Sequence, residues 1–193
     1  LERFLQLCSN DNMQVMNCTT PANYFHALRR QMHRDFRKPL IIMTPKSLLR
    51  HKHCVSNLSD FSKQNTFHRV LWDHAIDPKL KGFIKLKKKE KIKKVILCSG
   101  KIYFDLLEAR EKLKRDDLVF YRIEQLYPFP VKSLVKELKP YAKNGKFYWC
   151  QEEPKNMGAW FSVRDYIQWT LDNIKANNKE ISYIGRSPDA SPA

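Results

Sequence analysis

Four short apolar runs, separated by stretches with helical spacing, constrain this chain more than any other feature. Residues 94–98, 118–123, 146–151 and 181–184 are rich in β-branched and aromatic side chains. Between them, 101–114, 131–141 and 159–175 repeat apolar residues every three or four positions. Strands alternating with helices predict a mostly parallel sheet joined by right-handed crossovers. Four strands and three helices within about 100 residues make a three-layer α/β domain with helices on both faces. The expected inward faces are Ile102, Asp105, Leu106 and Ala109 on the first helix, and Leu134, Val135 and Leu138 on the second. On the third they are Trp160, Val163, Ile167 and Leu171. Residues 124–130 (EQLYPFP) read as a turn, because two prolines in three positions interrupt any strand.

The first 50 residues show a second, incomplete α/β pattern. A helix end at 3–8, a strand at 13–18, a helix from 22 to 34 and a strand at 39–43 follow one another. Thr20 is the expected N-cap with Pro21 in the first helical position. Tyr24, Phe25, Leu28 and Met32 form this helix's apolar face. Residues 51–92 lack a period and read as a lysine-rich linker with an edge strand at 67–72, so the expected division is 1–50, 51–92 and 93–193. The chain begins at Leu1 without a secretory signal, and it reads as a piece of something longer.

Charge matters next. The chain has 36 Lys+Arg against 20 Asp+Glu, a formal net charge of +16. Nine lysines and one acid, Glu90, lie between Lys79 and Lys94. Nucleic-acid modules interleave arginine and aromatics with their lysines for stacking, and here only Phe83 does so; the run reads as a solvated segment and no specific nucleic-acid partner is expected. No apolar run approaches the roughly 20 residues that span a bilayer, so no membrane partner is expected. The five cysteines form no CxxC pair, and His51-Lys52-His53-Cys54 lacks a second cluster to complete a metal site. Cys98 and Cys150 read as buried small hydrophobes. Glu152 and Glu153 read as acids capping the next helix. Ser99, Lys101, Arg122 and Gln151 fall at the carboxyl edge of the expected sheet, where open α/β folds bind ligands, and form a candidate effector or anion site. No self-contained catalytic, cofactor-binding or metal site emerges from the residues alone.

Several runs together resemble a known family. They are LERFLQLCSNDNMQV at 1–15, TTPANYFHALRRQ at 19–31, RKPLIIMTPKSLLRH at 37–51, VILCSGKIYFDLLEAR at 95–110, RIEQLYPFP at 122–130, WCQEEPKNMGAW at 149–160 and YIGRSPDASPA at 183–193. The chain resembles the carboxyl-terminal part of the thiamine-diphosphate-dependent first component of the 2-oxoglutarate dehydrogenase complex, a transketolase-like family. The resemblance implies that 1–50 end a pyrimidine-binding domain and that 93–193 form a transketolase carboxyl-terminal domain. It implies a parent enzyme that decarboxylates 2-oxoglutarate in the tricarboxylic acid cycle and passes the succinyl group to lipoyl. Thiamine diphosphate and magnesium would serve the parent, while this chain alone would bind neither and would not turn over. The family's diphosphate motif, activating glutamate and active-site histidine belong before the match begins. Implied partners are the rest of the polypeptide, a homodimer partner and the lipoyl succinyltransferase second component. Tyr127 and Trp160 are candidate packing anchors. Bacterial cytoplasm is favoured over mitochondrial matrix, because lysine outnumbers arginine. The competing reading is a freestanding anion- or adenine-nucleotide-binding α/β module.

Overall fold

A computed structural model describes residues 1–191; Pro192 and Ala193, the end of the tail motif, lie outside the described residues. The elements are α1 (Glu2–Gln6), β1 (Gln14–Asn17), α2 (Pro21–His33), β2 (Leu40–Met43), β3 (Val70–Trp72) and β4 (Lys94–Cys98). Then come α3 (Ile102–Leu113), β5 (Leu118–Ile123), β6 (Gln125–Tyr127), α4 (Val131–Leu138), β7 (Lys146–Cys150), α5 (Trp160–Asn173) and β8 (Ile181–Ile184).

Two sheets result. The larger runs β3-β5-β4-β7-β8. Its last four strands are parallel, with Val95 opposite Val119 on one side and Phe147 on the other. β3 is the antiparallel edge, pairing Leu71 with Arg122. Successive side chains of a strand point to opposite faces. Accordingly Val95 and Leu97 enter one core with Leu134 and Leu138 of α4 and Val163, Ile167 and Leu171 of α5. Ile96 and Cys98 enter the other, with Tyr103, Phe104 and Leu107 of α3. The α/β architecture with helices on both faces is therefore present, and the edge strand anticipated at 67–72 forms over Val70–Trp72.

The smaller sheet runs β2-β1-β6. β1 and β2 are parallel, with Val15 opposite Ile41. The third strand corrects the reading of 124–130 as a turn. Gln125–Tyr127 pairs antiparallel with β1, with Val15 opposite Tyr127. The backbone ladder of β1 needs a partner on this side, and a pairing so distant in sequence leaves no local pattern.

Two helix faces also differ from expectation. On α2 the buried residues are Ala22, Asn23, His26 and Ala27, whereas Tyr24, Phe25, Leu28 and Met32 are exposed, Met32 to 74%. Polar anchoring explains the inversion: Asn23 Nδ2 donates to the His68 carbonyl (2.9 Å), and His26 Nε2 lies 2.7 Å from the Asp60 carbonyl. On α3 the buried residues are Tyr103, Phe104, Leu107 and Arg110, not Asp105 and Ala109. Arg110 is 2% exposed and its guanidinium is paired with Asp73, which is fully buried. Asp73 also accepts from the Phe120 amide (3.0 Å) and the Ala75 amide (2.9 Å). A carboxylate in these surroundings draws a cation inward and rotates the helix to meet it.

The lysine-rich segment lies against the larger sheet. Its lysines are exposed, while Phe83, Ile84 and Leu86 are half-buried and Ile92 is buried. The amides of Lys87 and Lys93 donate to the carbonyls of Asp116 and Asp117.

Candidate functional site

The two sheets meet at the carboxyl end of β5, and the junction is polar. Arg122 and Glu124 stand two residues apart in extended chain, so they share a face. The Glu124 carboxylate is fully buried. It accepts from the Thr19 amide (2.9 Å), the Thr19 hydroxyl and Asn23 Nδ2 (2.9 Å). Arg122 Nη1 donates to Thr19 Oγ1 (3.1 Å) and Nη2 to the Trp72 carbonyl (2.7 Å), and its guanidinium lies 4.2 Å from the Tyr103 ring centroid. Burial raises the Glu124 carboxyl above its ordinary range, against the pull of Arg122, Thr19 and Asn23. Sequence reading missed Glu124, although the Arg-x-Glu spacing at a strand end was a usable signal. At Gly100 (φ +76°) the chain turns tightly beneath this junction; a Cβ there would sit 2.4 Å from Asn17 Nδ2.

Beside the junction opens a cleft of about 400 Å³, lined among others by His26, His68, Trp72, His74 and Arg122. Burial, then the Arg122 charge, pushes His74 down to about 3, so it is neutral at physiological pH. Its backbone amide donates to the Tyr103 hydroxyl (2.9 Å). Burial pushes the Cys98 thiol well up and Cys150 up to about 11, so both are protonated thiols rather than nucleophiles. All five cysteines are free. This arrangement latches and shapes a cleft; it contains no base in contact with a nucleophile.

The four residues of the candidate effector site occupy the expected sheet edge but are engaged separately. Ser99 Oγ donates to the Ile123 carbonyl (2.9 Å). Lys101 pairs with Glu152. Gln151, 4% exposed, donates to the carbonyls of Met157 (2.7 Å) and Pro154 (3.1 Å). Its Oε1 accepts from Trp149 Nε1 (2.9 Å) and from the amides of Ala159 (3.2 Å) and Trp160 (3.0 Å). Gln151, and not Glu152 or Glu153, therefore serves the amino terminus of α5. Trp160 is 6% exposed, its ring 5.4 Å from that of Tyr183; half-buried Tyr127 accepts from the Asp11 amide (2.9 Å). His51 and His53 pack on Phe104 and Phe83. Among the described residues, no three His, Cys, Asp or Glu gather to hold a metal ion, and no helix is long and apolar enough to cross a membrane.

A parallel sheet covered on both faces, with a smaller α/β unit latched to its carboxyl edge, defines a transketolase-like α/β protein. Residues 1–52 match the family model of the transketolase pyrimidine-binding domain. Residues 55–193 match the 2-oxoglutarate dehydrogenase C-terminal model, and the chain belongs to that family. It is 59% identical over all 193 residues to the 2-oxoglutarate dehydrogenase E1 component of Brucella abortus strain S19, and 58% identical to that of Brucella ovis. In both cases it spans 19% of the relative's length.

Proposed function

We propose that this chain acts as the carboxyl-terminal part of a 2-oxoglutarate dehydrogenase first component. The full enzyme would carry out oxidative decarboxylation of 2-oxoglutarate on thiamine diphosphate and magnesium and pass the succinyl group to lipoyl on a second component. The observation that carries the reading is 59% identity along the whole chain to an E1 component. Thiamine diphosphate, when bound, stabilises the carbanion left by decarboxylation. In this reading the magnesium–diphosphate seat belongs to other parts of the full enzyme rather than to these residues. Their role in this reading is architectural: the larger domain supports the pyrimidine-binding unit through Glu124, Arg122 and β6, and packs against a homodimer partner. The compartment that fits is the bacterial cytoplasm.

The test is decarboxylation of 2-oxoglutarate with thiamine diphosphate and magnesium. The intact protein from its own cells is expected to release carbon dioxide, and the 193-residue chain alone is not. An intact protein inert towards 2-oxoglutarate overturns the activity; turnover by the chain alone overturns the architectural role.

A further inference from the structure

The amino edge of the larger sheet carries positive charge that the proposed activity does not use. β4, β5, β7 and β8 are parallel, so all four begin at that edge. Lys94 starts β4 directly opposite Lys146, which starts β7. Adjacent strands lie about 4.8 Å apart, and like charges that close repel. Beside this pair stand Lys89, Lys91 and Lys93 of the lysine-rich segment and Lys143 of the turn before β7. All six residues are exposed.

The backbone beneath these lysines is held. The Lys93 amide donates to the Asp117 carbonyl (2.8 Å), and the Lys93 carbonyl accepts from the Lys146 amide (2.8 Å). Asn144 Nδ2 donates to the Glu90 carbonyl (2.6 Å), which ties the turn before β7 to the lysine-rich segment. Ile92, 1% exposed, anchors the segment in the core between Lys91 and Lys93. The ammonium groups therefore project from a fixed edge rather than from a free loop.

The fold does not neutralise them. Elsewhere in the run Lys79 pairs with Asp60 (2.7 Å) and Lys87 with Asp116 (3.0 Å), and Arg115 takes Asp117 (2.8 Å). No ion pair joins any of the six to a carboxylate among the described residues. Glu90 is the one acid within the run.

The composition of the edge selects the partner. Stacking of unpaired bases needs aromatic or guanidinium planes, and Phe83, the one aromatic of the run, is half-buried against His53 and His74. Insertion into a bilayer surface needs an outward apolar face, but Ile92 is buried and Ile84 and Leu86 are half-buried. Lysine ammonium is a compact point charge on a flexible stem and pairs with carboxylates one at a time. Six such groups spread along an edge suit a chain of carboxylates better than one small anion. We propose that the amino edge of the larger sheet docks an extended acidic polypeptide segment of a partner protein. The surface goes beyond the proposed activity and does not rest on it.

Fluorescence anisotropy of a labelled oligoglutamate peptide, titrated with the intact protein at about 150 mM salt, tests the proposal. One saturable site per chain is expected. Lys91→Gln, Lys93→Gln and Lys146→Gln combined should weaken binding by about tenfold. These side chains are exposed and form no ion pair, so their loss does not put the fold at risk. Lys46→Gln, Lys63→Gln and Lys155→Gln combined remove the same charge away from the edge and should change affinity less than about twofold. Failure of the peptide to saturate overturns the proposal. Equal losses in the two triple variants overturn it too, since they would mark a general basic surface. Tighter binding of oligouridylate or of phosphatidylglycerol vesicles than of the peptide would assign the edge to nucleic acid or membrane and overturn it as well.

Discussion

The two sheets are held by different physics. In the larger one, α5 buries Trp160, Val163, Ile167 and Leu171, and α4 buries Leu134 and Leu138; apolar area removed from water holds the layers together. In the smaller one, α2 buries Asn23 and His26 and turns Tyr24, Phe25, Leu28 and Met32 outward. Its attachment depends on hydrogen bonds to Glu124 and on a strand lent by the larger unit. Apolar contacts degrade gradually as methylenes are removed, but a buried polar junction fails when one partner is lost. Apart from the buried Asp73–Arg110 pair of the larger unit, dependence on single polar residues is therefore concentrated at the junction that holds the smaller sheet.

Three substitutions sharpen that contrast. The largest effect belongs to Asp73→Ala within the larger unit. It leaves Arg110 buried without a counter-charge and the Phe120 amide unpaired. A loss of about 3–5 kcal/mol in urea unfolding is expected. A loss below that range would mean that water reaches Arg110.

Glu124→Gln comes next and should separate the two units. A cost of about 1–3 kcal/mol is expected, because Thr19 and Asn23 lose a charged acceptor. Hydrogen exchange should quicken at Val15–Asn17 while Val95–Leu97 stays protected. The variant also carries a pH signature. A carboxyl whose value is raised on folding binds its proton more tightly folded than unfolded. Stability from this group is thus greatest at acid pH and is lost as pH rises from the ordinary carboxylate range through the raised value. Glu124→Gln should flatten that part of the stability profile. An unchanged profile would show that Glu124 titrates normally.

The smallest effect is expected at the rim. Lys101 and Glu152 remain 40% and 35% exposed in their side chains. Lys101→Met should cost about 0–1 kcal/mol by thermal unfolding. A larger loss would give the carboxyl edge of the larger sheet the same dependence on single polar contacts as the junction.

The same contrast explains what could be read in advance. β4, β5, β7 and the Trp160–Val163–Ile167–Leu171 stripe were legible because their burial follows the local period. The α2 face misled because its apolar stripe points away from the sheet this chain provides. Arg110 was hidden because its reason for burial, Asp73, lies 37 residues upstream. β6 was hidden because three residues between a glutamate and a proline carry no period. The carboxyl-edge positions of Ser99, Lys101, Arg122 and Gln151 were readable, but their engagement with Ile123, Glu152, Thr19 and Met157 was not.

The pairing of Val15 with Tyr127 also sets a schedule for biosynthesis. A ribosome adding roughly 5–20 residues per second needs several seconds to pass from one residue to the other. During that interval the outer edge of β1 has no neighbour, and its amides and carbonyls offer a template to any passing strand. The nascent smaller sheet waits, edge bare, for a three-residue ribbon that arrives only after β4, α3 and β5 have left the tunnel.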